Sequence, residues 1–302
     1  METSQFAAER ASRMIERLTY QTGITIKQRD ADAVHDLRVA IRRLSQVLVV
    51  FKPCFPSKDL KKIRRNLKET MSLAGDVRNC DIGLKLLAKS QASEGAAIQQ
   101  KLRVRRREAE QALLTRLRQW IARKSSSRWR AVLNSSHTDS GFGRLAVEEA
   151  ASRRLAPMAK DFFKRGDHAA GKASAEGLHE FRIAGKKFRY SLELFEGLYG
   201  PPGKNLLEET KDVQSLLGAI NDCRTVRDMV TRMGASSPLQ NALKKRQRRK
   251  TQDFRREWEQ RFADLAVRRQ KIDSLQHPPG RPVRKPMGHS NAATDREQVV
   301  QA

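Results

Sequence analysis

Apolar and polar positions recur with helical periodicity along almost the whole chain. Within Leu178 to Tyr199, Phe181, Phe188, Leu192 and Phe195 fall on one stripe. At about 100° per residue, His179, Arg182, Lys186 and Arg189 fall within an arc of roughly 80° beside that stripe. One side of the segment is fit to pack, and the adjoining side presents an imidazole and three cations. Val34 to Phe51 has nearly the same pattern. A shift of 144 residues aligns His35 with His179, Arg38 with Arg182, Arg42 with Lys186, Leu48 with Leu192 and Phe51 with Phe195. A solvated basic face needs no fixed spacing. Recurrence of His-x-x-Arg-x-x-x-cation in register with an apolar stripe therefore marks an internal duplication and points to function.

The same periodicity sets out the other elements. A first helix is expected over residues 3–21, stopping near Gly23, and a second is capped by Asp30 or Asp32 and ended by Pro53 and Pro56. Ser57 is the expected N-cap of a third, which runs to about Ala74 and carries Lys61, Arg65 and Lys68 at i, i+4 and i+7. Gly75 should break it before a shorter helix over 76–89, followed by a long charged helix over 93–124. The Ser125-Ser126-Ser127 run and residues 134–143 have the composition of a connection.

The order is then expected again: a helix over 144–165 interrupted or kinked at Pro157, a polar Gly-rich link, the Leu178 helix, a Gly-Pro-Pro-Gly turn at 200–203, a helix over 204–217 and a long helix over 238–275. An offset of 143 places Lys204 on Lys61, Lys211 on Lys68, Gly218 on Gly75 and Cys223 on Cys80. The expectation is an all-α domain over residues 1–276. It is built from two internally repeated helical-bundle halves, about 3–124 and 143–275, in a pseudo-two-fold relation with long antiparallel helices around a basic central cleft. Residues 277–302, with four of the chain's ten prolines, form an expected disordered tail.

Charge narrows the partner. Lys plus Arg number 61 against 34 Asp plus Glu, a net +27 that repels itself in a compact fold unless spread out or matched by a polyanion. Nucleic acid, an anionic membrane surface and inorganic polyphosphate all meet that requirement. Three cysteines without a Cys-x-x-Cys read as reduced thiols of a cytoplasmic protein. The first residues lack a secretory pattern and no apolar run approaches membrane-spanning length, so membrane insertion is not expected.

Four motifs together carry a family resemblance. They are His35-x-x-Arg38-Val-Ala-x-Arg-Arg-Leu, Leu73-Ala-Gly-Asp-Val-Arg-Asn-Cys-Asp81, His179-x-x-Arg182-Ile-x-x-Lys-Lys-Phe-Arg-Tyr190 and Lys211-Asp-Val-Gln-Ser-Leu-Leu-Gly-Ala-Ile-Asn-Asp222. As a set, spanning most of residues 5–275, they resemble the CHAD domains, the conserved histidine α-helical domains. The resemblance implies two related bundle halves around a basic surface that binds inorganic polyphosphate, and an association with polyphosphate granules. No Glu-x-Glu-x-Lys of an accompanying triphosphate tunnel domain is present, so the chain is similar to stand-alone members. One departure is Asn79, where the family usually has an aspartate after the arginine.

Polyphosphate carries roughly one negative charge per internal phosphate and offers no bases to stack, so its receptor needs close-set cations and little aromatic surface. Aromatic residues at 6% suit it. Arg38 and Arg182 can grip two phosphate oxygens through their planar forks, while Lys61, Lys68, Lys186, Lys204 and Lys211 supply compact point charges. Arg42, Arg65, Arg78 and Arg189 complete the candidate cation set. His35 and His179 can donate to phosphate; a purely structural role, bonding a neighbouring helix, competes for each. No His-Glu-x-x-His or Cys-x-x-Cys points to a metal, and neither an acidic metal-holding cluster nor a Gly-rich phosphate loop points to catalysis. The expected function is polyphosphate binding by a granule-associated protein without cofactor, alongside a polyphosphate-metabolising enzyme as partner. The alternative is non-specific nucleic-acid binding through the basic segments at 101–107 and 244–250, and a third reading is a helical scaffold for another protein.

Overall fold

The expected helices form, and several run through their sequence punctuation. A computed structural model describes residues 1–88, 95–134, 140–171 and 174–278. Among these, nine α-helices follow one another: α1 (Thr3–Gln28), α2 (Ala31–Val50), α3 (Ser57–Leu87), α4 (Gly95–Ala122), α5 (Ser125–Asn134), α6 (Val147–Gly171), α7 (Ala175–Arg232), α8 (Ser237–Phe262) and α9 (Leu265–Gln276). No strand occurs among them beyond a single backbone bridge between Glu2 and Ala146. The proposed tail lies outside the described residues from position 279 onward, as does the expected helix start at Ser93.

Glycine accounts for the largest differences from expectation. Gly75 does not break α3. A Cβ there would sit 3.1 Å from the Arg38 guanidinium, so the glycine is a crossing point for a cation rather than a stop signal. The short helix expected at 76–89 is therefore the second half of α3. Gly23 and Gly218 likewise lie inside α1 and α7. At Gly200, with φ +54° and ψ −146°, the expected turn does occur: α7 leaves helical geometry there and divides into two arms that pack on each other, Gln214 of the second reaching Gly185 of the first. Pro157 is carried within α6, which stays continuous.

Other boundaries move for local reasons. Asp30 caps α2 as expected, its carboxylate accepting from the Ala33 amide at 2.7 Å. At α3 the cap position falls on Pro56, one residue before the expected Ser57, because the proline holds extended backbone at φ −60° and ψ 124°. The Ser125 run opens helix α5 instead of a linker; a left-handed Lys124 turns the chain, and Trp129 packs edge-on against Trp120. Residues 135–139 of the expected connection lie outside the described residues. The single helix expected over 238–275 is two, α8 and α9, separated at Asp264, whose carboxylate accepts from the Ala266 and Val267 amides.

Packing follows the apolar stripes. α1 lies on α2, α2 on α3 and α3 on α4, while α6 lies on α7, α7 on α8 and α9 on α6; α2 and α3 both reach α7. The junction between these groups is aromatic. Phe51 of α2's end and Phe195 of α7, residues aligned by the 144-residue offset, meet at 5.6 Å between ring centroids, with Phe6 against both. Beside it, Gln46 donates to Ser191 at 2.9 Å and Arg43 pairs with Glu193 at 3.1 Å. Phe162, Phe181, Phe188, Phe254, Trp258 and Phe262 build the core under α7 and α8. Burying the apolar stripes of α2 and α7 on this junction turns their adjoining cationic faces toward common ground.

Candidate polyanion-binding site

Six of the thirteen expected cations and histidines converge: His35, Arg38 and Arg42 from α2, Arg78 from α3, and Arg182 and Lys186 from α7. Helical spacing puts 35, 38 and 42 on one face of α2, and 182 and 186 on one face of α7. Arg38 crosses α3 above Gly75 and donates to the Met71 carbonyl at 3.1 Å, which fixes its head group. On the other side, Gln214 donates to the Gly185 carbonyl at 2.5 Å, tying the two arms of α7 together beneath Lys186.

The cluster is charged and barely neutralised. Among the described residues, none of Arg38, Arg42, Arg78, Arg182 or Lys186 forms an ion pair within 4 Å. Asp222 of α7 is the carboxylate they share, acting on Arg38, Arg182 and Lys186 at longer range. The Nε atoms of Arg42 and Arg182 are buried without a hydrogen-bond partner, a state that costs free energy unless an acceptor arrives.

The electrostatics record this crowding. Burial, reinforced by Arg182, Arg42 and Arg38, pushes the Lys186 ammonium down to about 7, and burial with Arg42, Arg78 and Arg182 pushes Arg38 down to about 10. Burial also lowers Arg182, despite Asp222. His35 is lowered by burial and then by Arg78 and Arg42. In the free protein its imidazole is therefore shifted toward neutrality, and a bound anion would raise it again. Burial raises the Asp222 carboxyl even though Arg182, Arg78 and Lys186 oppose it.

The remaining expected residues sit elsewhere. His179 is exposed and lines a groove with Arg182, Arg224 and Gln247. Arg189 stacks on Tyr190 at 4.3 Å and pairs with Glu193 at 3.7 Å; Arg42 lies over the same ring at 5.9 Å. Lys61, Lys68 and Lys204 are exposed, and Lys211 pairs with Glu208 at 2.7 Å. Arg65 faces a different groove, between α3, α4 and α5, with Arg116 and Trp129. Asp222 is absent from the expected site, because reasoning from anion binding selects cations, although it stands at the end of the Lys211–Asp222 motif. Its offset partner in the first half is Asn79.

Other chemistry is thinly represented. Among the described residues no group of three or more His, Cys, Asp or Glu is placed to hold a metal, and no helix is long and apolar enough to cross a membrane. Cys54, Cys80 and Cys223 are buried free thiols, each raised by burial.

Comparison with known proteins adds to this geometry. The sequence model of the CHAD domain matches residues 9–231. The crystal structure of the CHAD domain from the plant Ricinus communis superposes with a TM-score of 0.65 at 22% identity, covering 92% of this chain and 94% of that one. PptA from Streptomyces chartreusis superposes with a TM-score of 0.57 at 15% identity, over 91% of this chain and 99% of that one. Two uncharacterized proteins of Mycobacterium tuberculosis strains are each 27% identical over 211 residues. The match covers 65% of this chain but only 39% of either mycobacterial protein.

Proposed function

This chain belongs to the CHAD domain family, and on that premise we propose that it binds inorganic polyphosphate in the cationic centre between α2, α3 and α7, without catalysis. The observation that carries this reading is the set of guanidinium and ammonium groups of Arg38, Arg42, Arg78, Arg182 and Lys186, held together with Asp222 as their shared carboxylate and no ion pair within 4 Å among the described residues. Such a centre is electrostatically unfinished, and a chain of phosphates completes it by charge-assisted hydrogen bonds to the Arg forks. The centre is supplied by helices from both parts of the chain, so a polyanion seated there bridges them. Binding at a polyphosphate granule in the cytoplasm, beside an enzyme that makes or consumes the polymer, is the setting this function fits.

Non-specific nucleic-acid binding is the competing reading, favoured by the net charge of +27. The two separate by competition. Long-chain polyphosphate should displace duplex DNA at moderate salt. Changing Arg38, Arg182 and Lys186 together to alanine should weaken polyphosphate binding at least 100-fold, with far-ultraviolet circular dichroism unchanged. Tighter binding of DNA than of polyphosphate, indifferent to that triple change, would favour the second reading.

A further inference from the structure

We infer that a long polyphosphate leaves the central cluster along a track between α7 and α8, so that chain length is read there; this rests on the central site binding polyphosphate. Two grooves adjoin, with Ala175, Leu178 and Gln247 lining both. The inner one is a shallow cleft of about 20 Å³ lined by Arg182 of the central cluster together with His179 and Arg224, so a polymer passes over its rim and not through it. The outer one adds Arg227, Lys244, Arg248 and Arg255.

What distinguishes this track is a lining without carboxylates, although Asp228 at its edge pairs with Arg224 at 3.9 Å and Arg227 at 3.5 Å, leaving Lys244, Arg248 and Arg255 as the unpaired cations of its outer groove among the described residues. No Asp or Glu lines either groove. Three other grooves on the surface each carry two carboxylates: Asp59 and Glu69 beside Arg65, Asp161 and Glu180 beside Arg165, and Asp76 and Glu108 beside Lys101. The groove at Lys101 and Arg105 lies in the other basic segment of the chain, so high local charge alone does not make a track. Lys244, Arg248 and Arg255 form no ion pair among the described residues. Arg227 donates to Gln247 at 3.1 Å, which holds the seam between the two helices.

The spacing suits a polymer. Positions 244, 248 and 255 of α8 fall within an arc of about 40° and extend over roughly 16 Å of helix, so the three cations form one row. No Phe, Tyr or Trp lines either groove. A single-stranded nucleic acid finds no stacking platform there, whereas a repeating phosphate needs none.

The test compares inorganic triphosphate, short enough to occupy the centre alone, with long-chain polyphosphate. The variant is Lys244→Gln, Arg248→Gln and Arg255→Gln combined; a charge-matched control changes Arg13, Lys160 and Lys164 to Gln on α1 and α6. Expected is a loss of at least tenfold in long-chain affinity for the track variant, with triphosphate affinity unchanged. The slope of log affinity against log salt should become shallower by about 2, three phosphate contacts having been removed. Unchanged long-chain affinity, or an equal loss in the control, would overturn the track while leaving the central site intact. Failure of both triphosphate and long chains to bind the unmodified protein would instead overturn the reading on which it rests.

Discussion

At the scale of single residues, Asp222 sets the character of the site. It is the carboxylate shared by Arg38, Arg182 and Lys186, and it competes with any incoming anion for the same cations. Asp222→Asn removes that competitor and recreates the residue found at the offset position, Asn79. The expected outcome is two opposed effects: polyphosphate affinity rising several-fold, and the ligand-free protein losing stability because the cations lose their counter-charge. Titration calorimetry and urea denaturation read these separately. A drop in affinity would mean that Asp222 serves to position Arg182 for the ligand and does not compete with it.

Between elements, two glycines carry the argument. Gly75 gives Arg38 its path across α3, a Cβ there lying 3.1 Å from the guanidinium. Gly75→Ala should gain about 1 kcal/mol of helix propensity, yet displace the flexible end of Arg38 and weaken polyphosphate binding severalfold. Higher stability without loss of affinity would show that Arg38 does not need that path. Gly166 of α6 is different, because a Cβ would fall 1.9 Å from the Trp258 ring, which is locked by donating from its indole to Asp167 at 3.0 Å. Asp167 in turn takes two hydrogen bonds from Arg268, at 2.6 and 2.7 Å. With no flexible neighbour to give way, Gly166→Ala should destabilise the protein by roughly 1–3 kcal/mol despite the propensity gain, measured by denaturant midpoint. An unchanged midpoint would mean that α6 and α8 separate at little cost.

For the molecule as a whole, the crowded centre couples stability and binding to pH. Lys186 falls from its ordinary 10.5 to about 7 on folding, and His35 is lowered as well. The unfolded chain therefore binds more protons, and ligand-free stability rises with pH across the window from about 7 to 10.5. Below about 7, Lys186 is charged in both states and its destabilising effect is complete. A polyanion reverses the balance by favouring the charged forms, so binding takes up protons near pH 7.5 and affinity rises as pH falls from 9 to 6. Calorimetry in buffers of different ionisation enthalpy measures that uptake. Proton release, or none, would contradict the crowding of Lys186.

Periodicity alone placed most of the helices, though neither their ends nor α5, since an amphipathic stripe must find a partner to bury it, and the net charge alone made an anionic partner the expectation. The spacing of Arg38 with Arg42 and of Arg182 with Lys186 puts each pair on one helix face, and packing brings those two faces together. Equal-looking cations were beyond such reasoning: Arg78 joins the centre while Arg65, on the same helix, faces a groove shared with α4 and α5. That choice depends on how α3 is rotated about its axis, which its contacts with α2 and α7 settle and no local propensity encodes. The continuity of α3 through Gly75 has the same origin, because the reason for that glycine is a side chain from another helix.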